Sequence, residues 1–511
     1  MLRKIGFLLA IVILMAACEL TNELNDGTTE SQTVIPGNEG SVPLLNGAYD
    51  GLRNYQSQDQ YLVLSEHTAD GLAAPTRGPD WDDAGKWRSL HLHTWAPTHP
   101  DMTNQFNAIS ANSFDAQNVI CNDASGELLA QAVFLRAFND YHLLDNFGFF
   151  QRRECGTSLL DAPELIQRNA GADQLISELE GVLATLPTTG APKVATVDAA
   201  RALLMKLYLN RAVWSSSNIS DAGVTEALEG PYSFAAADMT QVVQLADQII
   251  GSGYTLATNY YDNFDVDNSE TSTELIFVSE NTEGGASGNI RSRHYMGQHY
   301  NQVPSGWNGF VALTDLYNLY DDGDARLDGG QAEGASYNIG FQVGQQFDLD
   351  GNPLNDRNDN PLIFTPEFSI QESGANLEVT GIRTVKYIPD LPDAGTSDND
   401  YVFFRLADVI LMKAEAILRG GTSGDNATDL VNEVRARSGA DALASVDLDV
   451  VLDERHRELW HEGWRRNDLI RYNRFLGTWQ EKPASTNERL IFPVPSEALA
   501  VNPNLVQNFG Y

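Results

Sequence analysis

The sequence predicts a mainly α-helical protein: a scaffold of tetratricopeptide-like helical hairpins that carries an irregular, loop-rich region with few short strands. Three observations predict it. Over about 101–253 and 401–476, apolar residues recur at helical spacing. Small residues stand where neighbouring helices would approach, with bulky apolar ones beside them, as in tetratricopeptide units, although inserted loops break the regular period of about 34 residues. By contrast, 58–100 keeps no period, and 255–400 gathers Asn, Asp, Gly, Ser and Pro around short β-like runs such as ELIFVSE.

The chain begins with Arg3 and Lys4, then an apolar or small stretch from Ile5 to Ala17 that leads into Cys18. That order predicts a secretory signal peptide over 1–17. As a helix the stretch would reach only about 20 Å, against about 30 Å for a bilayer core, so it does not span. With Ala16 and Ala17 directly before Cys18, the pattern is similar to a bacterial lipoprotein precursor in which Cys18 is acylated and becomes the new N-terminus. Residues 18–40 then read as a lipidated N-terminus and polar tether, and 41–511 as the folded body. No later apolar run reaches membrane-spanning length.

Within the body, Leu44, Leu45, Ala48 and Leu52 share a face of a first helix at about 42–56, with Ser41 as N-cap. DMTNQFNAISANSFDAQNVI and SGELLAQAVFLRAFNDYHLLDN form a helical hairpin, the second through Leu128, Ala132, Leu135 and Phe134, Phe138, Tyr141. GADQLISELEGVLATLP and TVDAARALLMKLYLNRAVW repeat it, with Thr196 as N-cap, and MTQVVQLADQIIGSG ends at Gly251 and Gly253. The helical signal returns in YVFFRLADVILMKAEAILRGG, whose main interruptions are Arg405, Asp408, Lys413 and Glu415, so it is expected to be buried from several sides. ATDLVNEVRARSG is its partner, LDVVLDERHRELWHEGWRRNDLIRY a further long helix, and the Pro- and Asn-rich end wraps over the surface. The helical scaffold is thus about 41–57, 101–253 and 401–476, and the variable region about 58–100 and 255–400.

A formal charge of −37 makes nucleic acid and anionic lipid poor partners. Beyond Cys18 stand only Cys121 and Cys155. In an oxidising compartment they pair if the loop after Asn146 doubles back, and both states stay open. No C-x-x-C spacing suggests zinc, and His91, His93 and His99 have no acidic or cysteine partner at a motif spacing, so no metal is expected there. FDLDGNPLNDRNDN at 347–360 is rich in oxygen ligands but departs from the EF-hand, because Gly351 follows Asp348 too early and the closing Glu is absent. A solvated turn is the expectation there, a structural calcium the minor alternative, and no cofactor is expected. Phosphate loops, G-x-S-x-G elbows and H-E-x-x-H are absent from the sequence.

Glu458 and Glu462 lie one helical turn apart, a spacing open to paired acid–base carboxylates, yet Arg455 and Arg465 flank them. Paired arginines keep carboxylates ionised, so a structural network is expected and no catalytic residue is assigned. The aromatic residues of the irregular region say more. Flat sugar faces stack on aromatic rings while amides and charged groups bond the hydroxyls, and Trp81, Trp87 and Trp95, with Tyr295, Tyr300 and Trp307 beside His294 and His299, form two such mixed loops. These six aromatic residues are the candidate ligand contacts.

Strings toward the C-terminus resemble the SusD/RagB family: FFRLADVILMKAEA and NEVRARSG, then ERHRELWHEGWRRNDLIR, then RLIFPVPSEAL and NPNLVQN. YNLYDDGDARL at 317–327 resembles the family's acidic turn ending in Asp-x-Arg, whereas the stretch after Phe147 lacks the usual Gly-Val-Pro-Leu. The resemblance covers nearly the whole mature chain. It implies a SusD-like α-α superhelix, and a binding protein rather than an enzyme. It also implies an outer-membrane lipoprotein, anchored through Cys18 and exposed at the cell surface, that takes a glycan and delivers it to a SusC-like TonB-dependent transporter. A peptide-binding member of the family is the alternative. A lipid-anchored glycan hydrolase, from a different class, would need two carboxylates facing one cleft about 5–10 Å apart.

Overall fold

The computed structural model describes residues 36–158, 160–220, 223–282, 294–374, 377–391 and 394–511. The expected signal peptide, Cys18 and most of the expected tether lie outside the described residues.

Helices dominate. The first is α1 (Asn38–Asp50), continued by a tighter turn over Gly51–Gln56, followed by two short helices, α2 (Tyr61–His67) and α3 (Lys86–His91), in the region read as loop. Then come α4 (Pro100–Cys121), α5 (Gly126–Phe147), α6 (Arg168–Val182), α7 (Val197–Ser215) and α8 (Ala236–Ile250). Local signals set their ends: α4 starts on a proline, α5 stops at Gly148 in the left-handed conformation, and the Thr196 side chain accepts from Ala199 N–H to cap α7. Each of α4 to α8 packs on the next, and α8 packs on α9 (Leu406–Leu418), which also holds α10 (Ala427–Arg437) and α11 (Leu448–Leu459). The result is the expected row of helical hairpins, with α5 and α9 buried along nearly their whole length.

Cys121 and Cys155 form a disulfide with a Cα–Cα distance of 5.2 Å. The loop does double back, because Phe149–Arg152 leaves α5 as a strand paired with Glu164–Gln167.

Two expected helices are shorter than their periodicity suggests. Tyr401–Arg405 is a buried strand paired antiparallel with Leu275–Ser279, and helix begins only at Leu406. Periodicity alone does not separate a short apolar strand from a buried helical turn. The long C-terminal helix is broken between α11 and α12 (Arg465–Arg471), where His461 at φ 61° and Gly463 at φ 81° take left-handed backbone. A β-carbon on Gly463 would run into the Tyr61 ring, so only glycine serves there.

Glu458 stands in the last turn of α11 and Glu462 within the break itself, and both are fully taken up. Arg326 and Arg405 donate to Glu458 at 2.8 and 2.6 Å, Arg437 also pairs with it, and Arg405 and Lys386 donate to Glu462 at 2.7 and 2.6 Å. Burial raises the Glu458 carboxyl, but Arg437, Arg405 and Arg326 outweigh it and hold it well below the ordinary range. Asp324 pairs with Arg326, so the Asp-x-Arg turn belongs to the same network.

In the variable region, a three-stranded sheet joins Asp328–Gln331, Asn338–Gln342 and Arg383–Val385. Leu72–Ala73 pairs with Val311–Ala312, and Thr76–Arg77 runs parallel to Gln371–Glu372. These pairings fasten the 58–100 segment to the middle of the chain. Among the described residues, no helix is long and apolar enough to cross a membrane.

Candidate functional site

The two aromatic loops meet. The Trp81 indole N–H donates to the Trp307 carbonyl at 2.8 Å, and the Trp81 ring lies 5.7 Å from Phe310 and 5.8 Å from Trp87. The second loop is folded on itself by backbone bonds: Trp307 N–H to Tyr295 O, Asn308 N–H to Gln298 O, and Gly309 and Phe310 N–H to Met296 O. A side chain at Gly309 would collide with the Trp81 indole, and one at Gly306 with the Gln298 backbone, so both close approaches need glycine.

The six candidates separate. Trp307 is 40% exposed, with Tyr295 half-buried behind it, ring centroids 6.2 Å apart and planes inclined by 28°. Trp81 and Tyr300 are half-buried. Trp87 and Trp95 are core residues at 4% and 2% exposure, their indole N–H groups donating to Asp83 and to the Tyr511 hydroxyl. Neither presents a ring face to solvent, because Trp87 is packed by Phe310 and Trp95 by Phe492. The three histidines are likewise enclosed: His91 and His99 bond the carbonyls of Gln480 and Lys86, and His93 lies between Thr68 O and Ser485 Oγ. No group of three His, Cys, Asp or Glu among the described residues could hold a metal.

Asn308, the residue after Trp307, lines a cavity of about 500 Å³ together with Arg77, Asp80, Tyr300, Arg357 and Glu378 among others. The Arg357 guanidinium lies 3.8 Å from the Tyr300 ring centroid, and its Nε donates to Glu378 at 2.5 Å. Arg77 is held by the carbonyls of Leu377 and Thr380, while its Nε keeps no hydrogen-bond partner among the described residues. Burial pulls Arg77 down to about 10, which still leaves it charged near neutral pH. Burial raises the Glu378 carboxyl, and hydrogen bonds from Arg357 and His299 more than reverse it, leaving it below the usual range.

His299 fixes the arrangement from beneath. Burial lowers it to about 4, so it is neutral at pH 7. Its Nδ1 accepts from Asn301 N–H, which puts the proton on Nε2, and Nε2–H donates to Glu378 at 3.0 Å. The site therefore offers a partly exposed indole and, lined by the next residue, a pocket of two cations, two carboxylates and three amides. That suits an uncharged polyhydroxylated ligand.

Arg77, Asn308, Arg357 and Glu378 were not legible as site residues. Arg77 and Glu378 sit in unpatterned stretches far apart in sequence, and Arg357 lies in the turn whose acidic oxygens drew attention instead.

Comparison with known proteins agrees with this architecture. The starch-binding protein SusD of Bacteroides thetaiotaomicron is 25% identical over 433 residues, spanning 75% of this chain and 72% of that protein. SusD-like protein P25 of Formosa agariphila is 27% identical over 444 residues, 79% of this chain and 77% of the other. A solved laminarin binding SusD-like protein shares the fold with a TM-score of 0.68 at 21% identity, covering 93% of this chain and 100% of that one. Surface glycan-binding protein A from Bacteroides thetaiotaomicron, solved in complex with laminarihexaose, does so at 0.66 and 17%, covering 92% and 99%. The SusD family model matches residues 252–511, which include Tyr300, Trp307, Arg357 and Glu378 with all of α9 to α12, and the chain belongs to the SusD family.

Proposed function

We propose that this chain is a non-enzymatic binding protein, anchored in the outer membrane through a lipid on Cys18, that captures an uncharged oligosaccharide or polysaccharide at the cell surface. It passes the glycan to a SusC-like TonB-dependent transporter. The observation that carries the binding reading is the 40% exposed Trp307 ring, backed by Tyr295, whose chain neighbour Asn308 lines the polar pocket of Arg77, Tyr300, Arg357 and Glu378. The relatives named for starch and laminarin bind neutral glucans, which agrees with a pocket whose two cations are matched by Asp80 and Glu378. A net charge of −37 disfavours polyanionic glycans further. The non-catalytic reading rests on Glu458 and Glu462, which are clasped by arginine and lysine and closed off from any ligand, and on the pocket's own pair, Asp80 and Glu378, which share Arg357, with Glu378 held below the usual range and so without a proton for a general acid to give.

Electrophoresis of the soluble body through gels containing laminarin or soluble starch tests the reading. The protein is expected to be retarded in at least one, and Trp307→Ala to weaken that interaction about tenfold or more, the scale of losing one well-used aromatic contact. Free migration in both gels overturns it. Release of reducing ends from either glycan by the purified protein would overturn the non-enzymatic part, and failure to co-purify with a transporter barrel the delivery step.

A further inference from the structure

The segment 347–362 contains a repeat: FDLDGNPL is followed at once by NDRNDNPL, with Asp, Asn, Pro and Leu at matching positions. The two copies fold alike. Asp348 Oδ1 accepts from the N–H groups of Asp350 and Asn352, and Asp356 Oδ1 from those of Asn358 and Asn360. Phe347 bridges to Pro353 as Asn355 bridges to Pro361. They face different spaces, however. The second copy supplies Arg357, Asn358 and Asn360 to the pocket that Asn308 lines, and the first supplies Phe347 to Gly351 to a separate cavity of about 680 Å³.

That second cavity is larger, and its lining has the same kind of chemistry. Tyr317, Tyr337 and Phe341 give it aromatic walls, and Gln331, Asn338 and Gln345 line it with amides. Phe347, 47% exposed, stands at it with its ring packed on no other ring among the described residues. Tyr337 is 2% exposed, and its hydroxyl has no hydrogen-bond partner among the described residues. A buried hydroxyl left without a partner is uncommon, and a ligand hydroxyl is the kind of group that satisfies it. Among the described residues, the charged side chains lining the cavity are Asp328, Asp348 and Asp350, with no cation, so an anionic ligand is disfavoured. A chain of amides ties the two sites together: Gln298, Gln342, Gln302 and Gln346 bond in succession, and His299 N–H donates to Gln302.

We infer that the cavity faced by the 347–352 turn is a second subsite for a neutral glycan, with Phe347 as stacking platform and Tyr337 as hydrogen-bond donor. It rests on the glycan-binding reading above, and it adds that long chains engage two places on one molecule. Two weak sites on one polymer raise apparent affinity well beyond either alone.

The test uses the soluble body and the same laminarin and starch gels, run over a series of glycan concentrations. Phe347→Ala alters an exposed ring and Tyr337→Phe removes a hydroxyl without partners, so both variants should melt with the wild type. Each is expected to weaken polysaccharide binding about threefold or more. Trp307→Ala should keep a residual retardation that disappears when Phe347→Ala and Tyr337→Phe are added. If the wild type is retarded but Trp307→Ala alone migrates freely, or the added changes leave it unaltered, the second subsite is overturned and the first reading stands. A wild type that migrates freely overturns both.

Discussion

Trp81, Trp87 and Trp95 share a composition of neighbours, yet only Trp81 reaches the edge of the site. What separates them is packing: Phe310 touches both Trp81 and Trp87, but Trp87 is enclosed by His67 as well and Trp95 by Phe492, residues distant in sequence that no local pattern announces. Trp307 was legible because a tryptophan among polar and glycine residues has no helical face to fill. Gly309 illustrates how a residue without a side chain can govern a site. A methyl group there meets the Trp81 indole, whose N–H holds the Trp307 carbonyl. Gly309→Ala is therefore expected to destabilise the protein by about 1–3 kcal/mol, the usual range for overpacking, and to weaken glycan binding although residue 309 is not among the residues lining the pocket. Thermal melting and the polysaccharide gels check the two effects separately. Unchanged binding would show that Trp81 does not position Trp307.

At the scale of elements, the hairpins α4–α5 and α6–α7 were readable because their cores are local stripes with visible caps. Tyr401–Arg405 and the break after α11 were not, since a strand partner and a left-handed turn are set by distant contacts; Gly463 was the one hint. The same break lets Glu458 gather three guanidinium groups from separate parts of the chain. Glu458→Ala would leave Arg326, Arg405 and Arg437 buried with too few partners. We expect a loss of about 3–5 kcal/mol, read as a lowered urea midpoint. An unchanged midpoint would show that the network orders the turn without stabilising it.

Across the whole molecule, seven histidines are held below their ordinary value chiefly by burial, His91, His99 and His299 to about 4 and His456 to about 3, with His67, His93 and His142 well below it. In the unfolded chain they take up protons near pH 6.5, as free histidine does. Between about pH 6.5 and 4 the unfolded state therefore binds more protons, and stability falls as pH falls. Glu66, raised by burial to about 7, and Asp101 and Asp140, raised to about 6, act in the opposite sense, because there the folded state holds the proton more tightly. The histidines outnumber them. Melting temperature at constant ionic strength should decline steadily from pH 7 to 4.5, and a flat or rising profile would mean that the buried acids dominate.

The strand pairings that fasten 58–100 to the middle of the chain bear on the order in which the protein assembles. Arg77 bonds to Leu377 across 300 residues of sequence, whereas α4 to α8 pack with immediate neighbours. Contacts between near neighbours form sooner than those that must close a long loop. A chain emerging N-terminus first can build the hairpins of α4 to α8 while the pocket still lacks the wall that Arg357, Leu377 and Glu378 supply, so the candidate site matures after them. The candidate site thus waits on the middle of the chain rather than on its first half.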